Sequence, residues 1–273
     1  MKFRNLIEAI GIHPRTRRYH YQPEEVNLSD GTSFKYARWL HPLEFVKEFT
    51  LGLIDSHREI ISPGDFCIDI GAHTGDSALP MAIATGREGC VLALEPNPYV
   101  YPVLEKTARL NYPALNIITL MAAATKEEGV TEFEYSDASF CNGGRHEGMN
   151  ALQHGHMFKL EVAGINLETE LKTDYAHWLP KIKFIKTDAE GYDLSVVQSL
   201  AGIIAGHRPF VKCEVFKKTS TKYRETLFDF FFEQDYAIHL VEGASVSPGR
   251  RLMLADVHHQ SHYDFLAIPK EHA

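Results

Sequence analysis

Residues able to do chemistry gather at the ends of short apolar runs. In FCIDIGAHTGDS, Phe66 to Ser77, Asp69 stands just before Gly71, and Gly75 follows four positions later. A glycine after an apolar run lets backbone approach a ligand closely, and a second lets the next helix pack tightly on the strand. Between and after them, Ala72, His73, Thr74 and Asp76 are expected to turn backbone amides toward a crevice. The G-x-x-x-G spacing departs from the G-x-G-x-x-G of dinucleotide sites. It points to a nucleoside-like ligand with no phosphate to cradle.

Three further clusters share that position. Glu95 closes the apolar run CVLALE and opens Glu95-Pro96-Asn97-Pro98, about where a carboxylate would accept hydrogen bonds from both hydroxyls of a ribose. Met121-Ala122-Ala123 ends the next run. Its small side chains could flank an adenine ring, and plain packing explains them equally well. The run IKFIKT leads into KTDAEGYD, Lys186 to Asp193, which delivers Asp188 and Glu190 together with Gly191. Two carboxylates in a crevice hold an ammonium group, act as a base or bind a metal. Helix capping accounts for one of them but hardly for both. Glu214, inside the apolar FVKCEVF, needs a partner if buried, either structural or in the site.

The elements that must position these residues follow from hydrophobic periodicity. Short apolar runs at 66–70, 90–95, 116–121, 182–187 and 210–216 alternate with helical patterns at Asp76–Ala84, Pro98–Asn111, Leu194–Ala205 and Ser220–Glu233. Such alternation marks a parallel sheet with crossover helices. Two more strand-like runs, 236–242 and 264–269, close the chain. If the first is parallel to the core strands and the last antiparallel, the loop 243–263 between them overhangs the crevice, carrying Arg250 and Arg251. TEFEYS (131–136) and FKLEVAG (158–164) alternate like a hairpin within an insertion at 131–164, around a long Gly-, His- and Asn-rich loop. That loop holds His154 and His156, candidate bases among fifteen histidines. Residues 1–60 read as a mixed lead-in or cap, with helical spacing at Phe3, Leu6, Ile7 and Ile10 and again from Pro42 to His57.

Composition narrows the class. A net charge of -8 disfavours a nucleic-acid backbone or an anionic membrane as the main partner. The four cysteines form no C-x-x-C pair, and most fall in core runs, so reduced buried thiols are expected. No apolar run is long enough to span a bilayer and the N-terminal residues form no apolar h-region, so a cytoplasmic protein is expected.

FCIDIGAHTGD, VLALEPNPYVYPVLEKTARLN, FIKTDAEGYDLSVVQSL and PFVKCEVF together resemble the FkbM family of S-adenosylmethionine-dependent methyltransferases, over about residues 65–216. The resemblance implies a class I methyltransferase fold, α/β with a Rossmann-like, mostly parallel sheet, an antiparallel last strand and helices on both faces. It implies that residues 61–273 form the methyltransferase domain. It assigns Asp69, Gly71 and Gly75 to the cofactor loop, Glu95 to the ribose, Asp188 to the methionine moiety and Glu190-Gly191 to the family's D-x-E-G signature. S-adenosyl-L-methionine is then the cofactor, S-adenosyl-L-homocysteine its product, and a hydroxyl on a sugar, glycolipid or secondary metabolite the acceptor. His73, Ala189 and Tyr192 depart from the family's usual residues, which bears on the acceptor rather than the cofactor. Asp188, Glu190, Glu214 or a histidine would take the hydroxyl proton. Some class I enzymes hold magnesium with acids at the positions of Asp188 and Glu214; cofactor and pairing explain the same acids, so magnesium is not favoured. An NAD-dependent oxidoreductase and a non-catalytic cofactor-binding scaffold are the alternatives. The glycine spacing and the terminal strand pair count against the first.

Overall fold

The computed structural model describes residues 17–135, 143–144 and 158–273. The first described element is an antiparallel hairpin, β1 (Tyr21–Asn27) and β2 (Ser33–Trp39). It turns through Asp30-Gly31, where Gly31 adopts φ +88° and the Asp30 carboxylate accepts from the Thr32 amide. Glycine suits that conformation because it has no Cβ to clash. The helix expected from Pro42 to His57 is confined to α1 (Leu51–Arg58), because the Thr50 hydroxyl accepts from the Leu53 amide and starts the helix there. Phe49, before the cap, packs edge-on against Phe34 and Tyr36, whereas Phe45 and Val46 are exposed. The helical pattern at Phe3 to Ile10 lies outside the described residues.

The sheet that organises the rest comes from the predicted runs. In order these are β3 (Phe66–Ile70), α2 (Ala78–Thr85), β4 (Cys90–Leu94), α3 (Tyr101–Asn111) and β5 (Ile117–Leu120). A side excursion follows: β6 (Ala123–Thr125), β7 (Gly129–Tyr135), β8 (Gly143–Gly144), β9 (Phe158–Asn166) and α4 (Leu167–Thr173). The chain then returns through β10 (Ile182–Thr187), α5 (Asp193–Ser199), α6 (Ala201–His207), β11 (Phe210–Val215), α7 (Thr221–Glu233), β12 (Tyr236–Val241), β13 (Arg251–Leu252) and β14 (Tyr263–Pro269). One helix expected at 194–205 is two, broken at Leu200.

The main sheet has the order β13-β12-β14-β11-β10-β3-β4-β5. Neighbours from β11 to β5 are parallel, and β14 is antiparallel to both β11 and β12. This is the class I, Rossmann-like arrangement with its reversed strand. β3 and β4 are buried at every residue, as expected of parallel strands covered on both faces. One face packs Ile68, Leu92 and Val196 with α5 to α7; the other packs Cys67, Val91 and Phe184 with α2. The expected hairpin at 131–164 is the antiparallel pair β7/β9, in a second sheet of order β6-β9-β7-β8. No helix among the described residues is long and apolar enough to cross a membrane.

Strand order reverses between β3 and β10, so a crevice opens at their carboxyl ends. The N-terminal hairpin is fastened to α3. The Asn111 side chain accepts from the Lys35 amide at 2.8 Å and donates to the Lys35 carbonyl at 2.7 Å, extending the β2 edge onto α3. It also donates to the Thr107 carbonyl at 2.8 Å. Asn111→Ala removes all three bonds and is expected to lower stability by about 2 kcal/mol. Asn111→Asp, which sets a buried carboxylate oxygen against the Lys35 and Thr107 carbonyls, is expected to lose at least as much. Urea unfolding with an unchanged m-value checks this.

Candidate functional site

The chain leaves β3 through backbone that most residues avoid. Gly71 and Gly75 have φ +77° and +90°, and His73 between them is left-handed at +48°. A Cβ at Gly71 would fall inside contact distance of the Asp188 carbonyl oxygen, and one at Gly75 would press on Leu104 and Thr107 of α3 at 3.1 Å. The two glycines therefore bring this loop against β10 on one side and α3 on the other. The amides do not all face the crevice as expected. Those of Gly71 and Ala72 donate to the Leu94 carbonyl, that of Gly75 to the Ala72 carbonyl, and that of His73 to Glu95 at 3.0 Å. The loop uses its donors to shape itself and to fix a carboxylate.

That carboxylate, Glu95, is 6 % exposed. Its Oε2 accepts from the His73 amide and its Oε1 from the Asn97 amide at 2.9 Å. Burial raises its pKa, while His73 and the two amides oppose the rise. Each oxygen retains a lone pair for one further donor.

Lys186, on β10, sits in the seam between β10 and β3. Its Nζ lies 3.3 Å from Asp69, 3.4 Å from Asp188 and 3.2 Å from the Gly71 carbonyl oxygen. Burial works against its charge, but Asp69, Asp188 and Asp76 outweigh burial and raise its pKa. Asp69 is fully buried and accepts from Ser77 at 2.6 Å; burial pushes its pKa up despite Lys186 and Ser77. Asp193, missed in the sequence reading, holds the turn after β10. It accepts from the Thr187 hydroxyl and from the amides of Ala189 and Gly191. Glu190 is thereby left-handed, at φ +53°. Burial, then Asp188 and Asp193, raise Glu190 to about 7, against Lys217 and Lys218.

These residues border one cavity of about 380 Å³, within the range of small-molecule sites. Its wall includes Gly71, His73, Asp76, Glu95, Pro96, Asn97, Ala122, Ala123, Asp188 and Glu190. Asp69, Ala72, Thr74 and Gly75 are not on the wall; they stand behind it and shape the loop. Glu214 is also off the wall. It is 7 % exposed, 3.6 Å from His262, and burial together with Asp188 and Asp193 holds its carboxyl far above the usual range. His154 and His156 lie outside the described residues. Among the described residues, no group of three or more His, Cys, Asp or Glu side chains is arranged to hold a metal ion.

The overhanging loop is only partly as expected. Gly243, Ala244 and Val246 reach the cavity, but the chain then turns back as β13 along β12. Arg250 pairs with Asp256 at 2.8 Å, Arg251 lies in β13, and neither touches the cavity. The wall also contains Lys47 and His57, which sequence reasoning missed. Lys47 bridges Glu44 and Asp76, each at 3.2 Å.

The model of the methyltransferase FkbM domain matches residues 69–238 of this chain. No curated protein matches it. Among solved structures, a methyltransferase FkbM from Methylobacillus flagellatus KT is 14% identical with a TM-score of 0.49, covering 78% of this chain and 50% of that one. This chain therefore spans half the length of that protein. Aeropyrum pernix fibrillarin, solved with natively bound S-adenosyl-L-methionine, is 12% identical with a TM-score of 0.41, covering 94% and 96%. A SAM-dependent O-methyltransferase from Thermotoga maritima is 13% identical with a TM-score of 0.44, covering 90% and 77%.

Two variants test the electrostatics. Lys186→Met strands Asp69 in the interior and is expected to cost about 3–5 kcal/mol near neutral pH. A buried acid with a raised folded pKa loses stability as pH rises through its ordinary range, so this deficit should shrink toward about pH 4. The same sign applies to Glu190, whose ionisation weakens the fold between about pH 4.5 and 7. Glu190→Gln is therefore expected to exceed wild type in stability by on the order of 1 kcal/mol at about pH 8 and to match it near pH 4.5. Denaturant unfolding across pH reads both.

Proposed function

Because the chain belongs to the FkbM methyltransferase family, we propose that its cavity takes S-adenosyl-L-methionine and that the protein methylates a hydroxyl group of a small molecule or glycan. The observation that carries this reading is Glu95. A buried carboxylate with one amide on each oxygen keeps two acceptor positions, which match the two hydroxyls of a ribose. The other wall residues fit the same group. Ala122 and Ala123 leave room for a flat ring, and Asp188 and Glu190 offer negative charge to an ammonium and a sulfonium. When bound, S-adenosyl-L-methionine supplies a methyl group already activated by the sulfonium charge and leaves as S-adenosyl-L-homocysteine.

What the chain must then contribute is orientation. Glu95 would fix the ribose. Gly71 would let the loop close against β10, and Lys186 would hold Asp188 in place. In this reading residues 61 onward are the methyltransferase domain, and Glu44, Lys47 and His57 of the preceding segment cap its cavity. The net charge of -8 supports a small acceptor over a nucleic acid.

Calorimetric titration with S-adenosyl-L-methionine, S-adenosyl-L-homocysteine and NAD tests the reading. The first two are expected to bind and NAD is not. Glu95→Ala is expected to weaken both by about 30-fold or more, the loss of two charge-assisted hydrogen bonds. Folded protein that binds neither sulfur compound would overturn the proposal.

A further inference from the structure

One arm of the cavity is walled by β10 and β11, on the far side of β3 from Glu95 at the end of β4, and the cofactor reading leaves it without an occupant. It lies under α1, between Phe184 of β10, Lys212 of β11 and the segment 243–246. That segment is latched in place. Lys212 Nζ donates to the carbonyls of Gly243 at 2.6 Å and Ser245 at 3.3 Å and pairs with Asp264 at 3.2 Å. From the other side, the Val246 amide donates to the Ser56 hydroxyl of α1 at 3.4 Å.

His57 is the polar side chain that α1 presents to this arm. It is 3 % exposed and lies on the cavity wall. Its Nδ1 is 2.9 Å from the Leu53 carbonyl oxygen, so Nδ1 carries the proton and Nε2 the lone pair. Nε2 has no hydrogen-bond partner among the described residues. Burial, with Lys212 as the charged group facing it, lowers its pKa to about 4, so the ring is a neutral acceptor at ordinary pH. On the cavity wall, that lone pair is an acceptor for a donor on a bound molecule.

Charge narrows what that is. Every lysine on the wall already has a carboxylate: Lys47 has Glu44 and Asp76, Lys186 has Asp69 and Asp188, and Lys212 has Asp264. In this arm Lys212 is therefore not left for an acceptor's phosphate or carboxylate, and Asp264 adds negative charge beside it. Phe184, Met81 and Val246 contribute apolar surface.

We propose that this arm is the acceptor compartment, that it takes an uncharged, hydroxyl-bearing small molecule, and that His57 Nε2 accepts the hydrogen bond of its hydroxyl. The inference rests on the cofactor reading above. It makes His57 a positioning group for the acceptor and gives it no part in holding the cofactor.

The test uses the full chain saturated with S-adenosyl-L-homocysteine and labelled with ¹⁵N-histidine. The probes are methyl glucoside, methyl galactoside and inositol, with glucose 6-phosphate and glucuronate as anionic counterparts. At least one neutral probe is expected to shift the His57 Nε2 resonance saturably, and its anionic counterparts to bind about tenfold more weakly or worse. His57→Phe and, independently, Val246→Trp are expected to abolish probe binding while S-adenosyl-L-homocysteine affinity stays within about twofold. His57→Gln, which retains an acceptor, should restore part of it. Saturation with S-adenosyl-L-homocysteine but no response to any neutral probe, tighter binding of the anions, or probe binding that survives both disruptive variants would overturn the compartment alone. Failure of S-adenosyl-L-homocysteine to bind would overturn the cofactor reading, and this inference with it.

Discussion

A buried ammonium group between two strands holds this site together. Lys186 Nζ reaches Asp69 on β3, Asp188 beyond β10 and the carbonyl of Gly71. Burying an ammonium is expensive, and a single partner seldom compensates for it. Here two carboxylates and a carbonyl contact it, the charge of Asp76 adds to theirs, and the balance favours the charged form. The pair spans the point where strand order reverses, where the sheet's two halves diverge and a crevice must open. Lys186 ties the two lips of that crevice. Gly71 completes the closure, since any side chain there would collide with the Asp188 backbone.

With the seam fixed, the surrounding acids become tolerable. Asp193 spends its oxygens on the turn that carries Asp188 and Glu190. Glu214, buried behind them, is driven toward its neutral form by burial and by those same neighbours. The negative charge left facing the cavity therefore comes mainly from groups on its wall. A cationic ligand would meet charge that is already oriented and partly dehydrated, the condition under which electrostatic contacts are strongest.

How far the sequence reveals this depends on the type of element. The core strands are legible because a parallel strand covered on both faces is a continuous apolar run, as FCIDI and CVLAL are. The carboxylates at their ends are legible for the same reason, as polar residues where such runs stop. The β1/β2 hairpin is harder to see, although Asp30-Gly31 gives a turn signal, because β2 buries Ala37 beside Tyr36 and breaks strict alternation. The spacing of Phe45, Phe49, Leu53 and Ile54 imitates a helix, yet Thr50 caps the chain in the middle of it. Topology places the loop after β12 at the crevice, but it does not reveal that β13 pairs back after Val246 and carries Arg250 and Arg251 away. His57 carries no local signal at all among fifteen histidines; only its burial against Phe184 and Lys212 distinguishes it.

The origin of the cavity wall bears on how such a protein diversifies. The segment that matches the family, residues 69–238, supplies the glycine loop, Glu95, the two alanines and the acids after β10. Glu44, Lys47 and His57 come from before that segment, and Gly243, Val246 and Asp264 from after it. The two outer pieces bond to each other directly, through Val246 to Ser56 and Ser247 to Glu59. The N-terminal piece is also tied to the glycine loop, by Tyr36 to Thr74 at 2.6 Å and by Lys47 to Asp76. A scaffold built this way can keep the loop and its acids unchanged while the outer pieces are replaced around them. Selectivity for one acceptor would then reside in contacts that the shared segment does not contain, which is where function separates from fold.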